Sequence, residues 1–206
     1  MVKLPRTPPV TLSIDDSDLT GWTYPSMARI HGVVGAYALP WHQLRHFGPT
    51  ATRFDPHPYP AQHHADYAVL YAAADVDTAL AEVFQHGRVV QPAAPNRPTL
   101  TVWRPTRTLR LLDIRGQWPI RQGASHVLNT GPHAVCRQWA HAIADHPQHV
   151  DGILYTSSMT GQDAAALFLP AEDSFPAAPE LSLPLDHPGL VGPVVAAAKR
   201  IRYALG

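Results

Sequence analysis

Tyr71-Ala-Ala-Ala-Asp-Val-Asp-Thr-Ala-Leu-Ala-Glu82 is the stretch around which the rest of the chain is organised. Residues 69–74 predict a short buried strand, because a brief apolar run that ends in a turn-forming residue is typical of strands. Asp75 or Asp77 can accept the free amides of a following helix, so either is a good N-cap. Gly87 can adopt a left-handed conformation and predicts the end of that helix.

The helix after this strand carries one glutamate among apolar residues. Leu80, Val83 and Phe84 share one side at i, i+3, i+4 spacing and predict the packing face. Glu82 points nearly opposite to them. Most glutamates face water, but this helix is almost free of charge. Glu82 therefore either faces open solvent or lines a cavity, and periodicity alone leaves both readings open.

Composition narrows the class of protein. A chain of 206 residues is long enough for one good core. It has 16 basic and 16 acidic residues, so no net field recruits nucleic acid or an anionic membrane. Only 16% of the residues are charged and 22 are prolines. A surface with so few charges indicates that part of it is buried against a partner protein or against a second copy of the chain in a homo-oligomer. The alternative is that proline-rich loops form this part of the surface.

Cellular location is inferred from three absences in the sequence. Cys136 is the single cysteine, which excludes a disulfide within the chain and fits a reducing cytoplasm. The basic start is not followed by the apolar segment of a secretory signal. No apolar run reaches the roughly 20 residues of a membrane span. We therefore expect a soluble, cytoplasmic protein.

Strand and helix patterns predict the fold class. Residues 1–20 are expected to form an irregular arm, and residues 21–206 a single domain. Further strands are predicted at 26–34, 99–103, 108–114, 152–158 and 165–169, and further helices at 132–146 and 194–205. The strands outnumber the helices and do not alternate with them, which favours an α+β fold over a doubly wound parallel sheet. We expect a mixed, mostly antiparallel sheet with flanking helices.

Common catalytic and metal motifs are absent. The chain has 13 histidines, but His42 and His46 lack the glutamate of a zinc-protease helix, and the histidines of the 55–66 loop lack the spacing of a structural zinc site. No glycine-rich phosphate loop is present. Ser157 follows a predicted strand without the flanking glycines of a nucleophile elbow. We expect no metal site and no serine nucleophile.

Five residues, taken in order, carry a family resemblance. Arg29 lies in the first long strand, Arg53 in Arg-Phe-Asp-Pro, Tyr71 and Glu82 at the strand–helix junction, and Ser157 at the end of Gly-Ile-Leu-Tyr-Thr-Ser. This ordered set, from about residue 24 to 170, resembles the RES-domain family. The most specific part is Leu-Tyr-Ala-Ala-Ala followed by Thr-Ala-Leu-Ala-Glu.

The chain departs from the family pattern in two places. Asp55 stands where asparagine is frequent, in a long loop rich in proline and histidine. Ser157 and Ser158 both compete for the family serine. Ser157 is preferred because it follows Tyr155 at the family spacing.

The resemblance implies a fold similar to ADP-ribosyltransferases and an activity that cleaves NAD⁺ at the nicotinamide–ribose bond, with water or phosphate as the acceptor. It implies a toxin that is neutralised by a helix-turn-helix antitoxin of the Xre type, with NAD⁺ as substrate and no further cofactor. Under it Glu82, Arg53 and Tyr71 are catalytic. Arg29, Arg53, Tyr71 and Ser157 bind the dinucleotide: guanidinium groups suit the pyrophosphate, the phenol suits the nicotinamide ring, and the serine orients the amide or ribose.

Two other functions keep the same fold. One is transfer of ADP-ribose to a protein. Transferases of this fold usually carry Glu or Gln two residues before the catalytic glutamate, whereas Leu80 stands there in this chain. The other is a binding module without catalytic activity.

Overall fold

The computed structural model describes residues 7–206, so the first six residues of the predicted arm lie outside the described part. The helices are α1 (Val76–Val83), α2 (Trp118–Arg121), α3 (His133–Ala144) and α4 (Pro188–Ile201). The strands are β1 (Leu19–Thr20), β2 (Met27–Gly32), β3 (Phe47–Gly48), β4 (Gln62–His63), β5 (Val69–Ala73), β6 (Val89–Val90), β7 (Pro98–Trp103), β8 (Leu111–Asp113), β9 (Gly152–Thr156), β10 (Asp163–Phe168), β11 (Leu181–Pro184) and β12 (Ala204–Leu205).

One large sheet organises the molecule. Its eight strands follow the order β1-β8-β9-β10-β5-β2-β7-β11. β8 and β9 run parallel, and the other neighbours run antiparallel. The predicted α+β fold with a mixed, mostly antiparallel sheet is therefore confirmed.

The centre of the sheet is apolar on both faces. In β10, Ala164, Ala166 and Phe168 join one core cluster, while Ala165 and Leu167 join another. This alternation follows from the two-residue period of a strand. The first cluster also holds the buried face of α3, which consists of Cys136, Trp139, Ala140 and Ile143. Cys136 is a fully buried small side chain.

The sheet is nearly divided between β5 and β2. These strands share the single residue pair Ala28–Ala73. By contrast, β2 pairs with β7 over six residues and β5 pairs with β10 over five. Beyond the shared pair the sheet opens, and α1, which starts just after β5, reaches this opening with Ala79, Glu82 and Val83. The narrow junction thus brings the end of one strand, the start of another and one helix to the same place.

Helix α1 sits on the sheet through small residues. Its buried positions are Thr78, Ala79, Leu80 and Ala81, and Phe84 packs against the same cluster as Leu80. The prediction that Val83 belongs to the packing face is wrong, because its side chain is 47% exposed. The alanines let the short helix approach the sheet closely, and Glu82, near its C-terminal end, lies at the opening.

The N-terminal end of α1 lies where the sequence predicted it, and the C-terminal end does not. Asp75 is the N-cap, since its carboxylate accepts a hydrogen bond of 2.7 Å from the Thr78 amide. The predicted stop at Gly87 is wrong, because the helix ends at Val83. The left-handed residue in this turn is Arg88, with a φ of 49°.

The two chain ends are more ordered than their composition indicates. α4 begins at Pro188, six residues before the predicted start at Val194. Proline is well suited to the first turn, where its missing amide hydrogen leaves no intrahelical bond unmade. In the predicted arm, Leu12 and Ile14 are buried in the core, and β1 pairs with β8. The described part of the arm is therefore packed against the domain.

Residues 7–206 contain neither a membrane-spanning helix nor a cluster of metal ligands. No helix there is long and apolar enough to cross a membrane. No group of three or more His, Cys, Asp or Glu side chains in this range is arranged to hold a metal ion.

Candidate functional site

A cavity of about 480 Å³ lies at the opening between β2 and β5. Four of the predicted site residues line it: Arg29, Arg53, Tyr71 and Glu82. Arg29 comes from β2, Tyr71 from β5 and Glu82 from α1, while Arg53 comes from the loop that precedes β4. These residues are distant in sequence. They meet here because β2 and β5 are joined by a single residue pair and separate beyond it.

Ser157 lies beside Glu82 and is almost completely buried, with 2% of its surface exposed. Its hydroxyl donates a 2.5 Å hydrogen bond to Oε1 of Glu82. The same oxygen accepts hydrogen bonds from the amides of Met159 and Thr160, at 3.1 and 3.4 Å. Because two amides occupy the acceptor side of the hydroxyl, its proton is directed at the carboxylate. Ser157 therefore orients Glu82, which is half-buried.

Ser158 has a different partner. Nη2 of Arg53 donates to its hydroxyl at 3.4 Å, and Nη1 of the same arginine donates to the carbonyl oxygen of Gly131. The two adjacent serines thus divide between the carboxylate and the arginine of the site. This division explains why sequence spacing offers two candidates.

Arg29 is the second arginine of the cavity. Its guanidinium donates a 2.9 Å hydrogen bond to the Trp41 carbonyl. Burial lowers its pKa to about 10, so it remains protonated at neutral pH. Within residues 7–206, neither Arg29 nor Arg53 forms a salt bridge. The cavity therefore presents two cationic groups without an acidic partner.

The loop that carries Arg53 is fixed by a buried carboxylate. Asp55 accepts hydrogen bonds from Arg45 at 2.9 Å, from the amide and hydroxyl of Thr50 at 2.7 and 2.8 Å, and from His57 at 2.5 Å. Burial alone would raise the pKa of Asp55, but the contacts with His57, Thr50 and Arg45 outweigh it and hold the pKa well below its usual range. Asp55 is thus a structural anion that holds the loop in place.

Tyr71 connects this loop to β5. Its hydroxyl accepts a 3.0 Å hydrogen bond from the Phe54 amide, directly after Arg53. Burial raises the pKa of the Tyr71 phenol, and burial, followed by the charge of Glu82, raises that of Tyr155 well above its usual value. Both phenols are therefore neutral at pH 7, and both line the cavity.

Several cavity residues were not predicted from the sequence. His31, Tyr37, Arg45 and Tyr155 line the cavity. The two-residue period of a strand could have found His31, which stands two positions after Arg29. It could also have found Tyr155, which stands two positions before Ser157. Tyr37 and Arg45 lie outside the regular strands, and no periodic pattern marks them.

Comparison with known structures supports the architecture. A chain in the crystal structure of the M. tuberculosis MbcT-MbcA toxin-antitoxin complex is similar to this chain, with a TM-score of 0.55 and 16% sequence identity. The similarity covers 89% of this chain and 91% of that one. No curated protein sequence matches the chain.

The family follows from the sequence itself. A model of the RES domain matches residues 26–186, a range that begins just before β2 and ends just after β11. Within it lie the strand arginine, the loop arginine, the strand–helix junction and the serine pair. The chain belongs to the RES-domain family.

Proposed function

We propose that this protein is a toxin that depletes NAD⁺ by cleaving its nicotinamide–ribose bond. The observation that carries the proposal is that Glu82 lines the same cavity as Arg29 and Arg53, two arginines without a salt bridge in residues 7–206. A dinucleotide with an anionic pyrophosphate and a cationic leaving group suits such a pair of charges. The cavity volume falls within the range of roughly 300–1,000 Å³ that is common for small-molecule sites.

The chemistry requires one well-oriented carboxylate. As the glycosidic bond breaks, positive charge develops on the ribose, by analogy with glycoside hydrolysis. Glu82 stabilises that charge, and Ser157 holds the carboxylate in one orientation. Nicotinamide becomes neutral as it leaves and needs no strong acid. The acceptor is water or inorganic phosphate, so the enzyme is an NAD⁺ glycohydrolase or phosphorylase.

The arginines and tyrosines bind the rest of the substrate. Guanidinium groups contact phosphate oxygens with two parallel hydrogen bonds, which assigns the pyrophosphate to Arg29 and Arg53. Tyr71 and Tyr155 stay uncharged and contribute apolar surface to the cavity, with Tyr71 also holding the backbone next to Arg53. In this assignment Ser157 acts through Glu82.

An antitoxin of the Xre type is the proposed partner in the cytoplasm. The structural neighbour comes from a toxin–antitoxin complex, and the exposed side chains of Tyr37 and Val83 offer apolar contacts at the cavity. Binding at the mouth of the cavity would exclude NAD⁺.

The test is nicotinamide release from NAD⁺ by the purified chain, with and without phosphate. We expect release by the wild type and a loss of roughly 10²–10³-fold in Glu82→Gln, the scale for removal of a preorganised electrostatic group. Glu172→Gln is the matched control, because Glu172 is exposed and lies in a different part of the fold. Absence of release by the wild type under both conditions would exclude NAD⁺ cleavage.

Labelled NAD⁺ separates degradation from transfer. Label in small products supports degradation, whereas label on a protein would indicate an ADP-ribosyltransferase. Leu80 is completely buried in the core, so the position two residues before Glu82 holds no polar group for a protein acceptor. If Glu82→Gln retains growth inhibition and partner binding, the protein is a binding module instead.

A further inference from the structure

His31 carries a buried nitrogen that the network described above does not use. It stands two residues after Arg29 on β2, and its side chain lines the cavity. The Nδ1 atom is buried and has no hydrogen-bond partner within residues 7–206. A buried polar atom without a partner destabilises the folded protein. An unpartnered polar atom in a residue that lines the cavity points to a ligand that supplies the missing hydrogen bond.

The other ring nitrogen is connected to the surface. Nε2 of His31 lies 3.2 Å from Oγ1 of Thr101, and that hydroxyl lies 3.2 Å from Oγ of Ser182. Thr101 is completely buried and Ser182 is exposed. Each hydroxyl can donate or accept. The chain of contacts therefore satisfies Nε2 in either neutral tautomer, which leaves Nδ1 free to act as donor or as acceptor.

The imidazole is neutral at physiological pH. Burial, and then the neighbouring charge of Arg29, lower the pKa of His31 to about 4. A phosphate oxygen only accepts hydrogen bonds, and the cavity already offers it two charged guanidinium groups. A neutral ring with both tautomers available suits a group that also donates and accepts, namely a hydroxyl.

We propose that His31 is a substrate-binding residue whose Nδ1 forms a hydrogen bond with a ribose hydroxyl of NAD⁺. This inference rests on the proposed function and assigns a specific contact to that site. The contact orients the ribose on the β2 side of the cavity, while Arg29 and Arg53 hold the pyrophosphate. The hydroxyl fills the hydrogen-bonding capacity that the protein leaves open at Nδ1.

Two isosteric variants separate the ring nitrogens. The amide of Asn occupies the place of Nδ1, so His31→Asn keeps a polar atom on the cavity wall and loses the Thr101 contact. The amide of Gln reaches the place of Nε2, so His31→Gln keeps the Thr101 contact and loses the polar atom at Nδ1. We expect His31→Gln to lower kcat/KM for NAD⁺ about 5- to 10-fold, the scale of one hydrogen bond. His31→Asn should stay within about 2-fold of the wild type, because it preserves that bond.

NAD⁺ analogues that each lack one ribose hydroxyl identify the partner. With the analogue that lacks the contacted hydroxyl, wild type and His31→Gln should have equal kcat/KM. With the other analogues the difference between them should persist. Thermal unfolding of every variant serves as the control for folding.

The outcomes separate this inference from the proposed function. If the wild type does not cleave NAD⁺, both fail. If the wild type cleaves NAD⁺ and His31→Gln equals it, the contact is excluded while the function stands. If both variants lose activity equally and the loss is the same with every analogue, His31 has a structural role and the inference is overturned.

Discussion

At the scale of single residues, the site depends on hydrogen bonds between side chains that are not adjacent in sequence. Ser157 and Glu82 are 75 positions apart, yet a 2.5 Å hydrogen bond joins them. The buried serine hydroxyl has its acceptor capacity used by two amides. The hydroxyl proton is therefore donated to the carboxylate of Glu82. The serine and the glutamate therefore act as one unit.

Replacement of Ser157 by Ala tests this unit. Removal of the hydroxyl frees the carboxylate to rotate, so we expect kcat/KM for NAD⁺ to fall about 10-fold, the scale of a hydrogen bond to a charged group. The double variant with Glu82→Gln should be no worse than Glu82→Gln alone, because residues that act as a unit are strongly non-additive. Steady-state kinetics of the two single variants and the double variant measure both expectations.

Ser158→Ala is the matched control for that cycle. Ser158 accepts from Arg53 and has no contact with Glu82 among the described side chains. Its loss should therefore combine additively with Glu82→Gln. Additive behaviour of Ser157→Ala instead would show that its hydroxyl does not act through the carboxylate.

At the scale of elements, α1 has to be short, well capped and closely packed. Asp75 accepts from both the amide and the hydroxyl of Thr78, at 2.7 and 3.0 Å. The Thr78 hydroxyl in turn lies 2.9 Å from that of Thr160, in the turn that also contains Ser157. The cap therefore joins the helix that carries Glu82 to the turn that orients it.

Asp75→Ala should destabilise the protein and lower its activity. Loss of an N-cap costs about 1 kcal/mol, which corresponds to a fall of about 2–4 °C in Tm for a chain of this size. Activity should fall as well, because the link through Thr78 to the serine turn is weakened. Thermal unfolding and nicotinamide release measure the two effects.

Asp77→Ala is the control within the same helical turn. Asp77 pairs with the exposed Arg200, and surface ion pairs contribute little to stability. We expect a smaller fall in Tm and unchanged nicotinamide release. Equal losses in the two variants would mean that the acidic first turn matters in general and that the specific cap does not.

Sequence periodicity predicted the elements that bury a regular face. The buried face of α3 follows from its 3.6-residue spacing, and β10 follows from a short continuous apolar run, which is typical of a strand buried on both faces. The strand–helix junction was also readable, with its cap narrowed to Asp75 or Asp77. The exposure of Val83 was not, since it depends on how closely the neighbouring alanines approach the sheet. The early start of α4 was concealed by prolines that are compatible with a first helical turn.

The candidate site could be predicted from the sequence only in part, because its contacts do not follow from periodic spacing. The ordered resemblance pointed to Glu82, Arg53 and Ser157, yet nothing local in the sequence predicts that Ser157 contacts Glu82 or that Ser158 contacts Arg53. These contacts depend on the path of the loops in three dimensions. Asp55 illustrates the limit, because it occupies a motif position but is a buried carboxylate that accepts five hydrogen bonds, one of them from the His57 amide.

At the scale of the whole molecule, the cavity exists because the large sheet is nearly divided between β5 and β2. β1-β8-β9-β10-β5 forms one part and β2-β7-β11 the other, and Ala28–Ala73 is the residue pair that joins them. α3 packs on the first part and α4 on the second, while α1 contacts β5 of the first part and β2 of the second. A ligand in the cavity contacts both parts and should couple their stabilities.

Ligand binding should therefore protect both parts at once. In Glu82→Gln, which should consume the substrate roughly 10²–10³-fold more slowly than the wild type, NAD⁺ at 100 times its Kd should stabilise the folded state by about 2.7 kcal/mol. This corresponds to a rise in Tm of about 5–10 °C for a chain of this size. Amide hydrogen exchange should slow in β2 and in β5 together, because both strands line the cavity. Adenosine, which lacks the pyrophosphate that Arg29 and Arg53 are assigned to bind, should give a much smaller shift at the same concentration. Protection confined to one side of the Ala28–Ala73 junction would place the ligand outside the opening and contradict this account of the cavity.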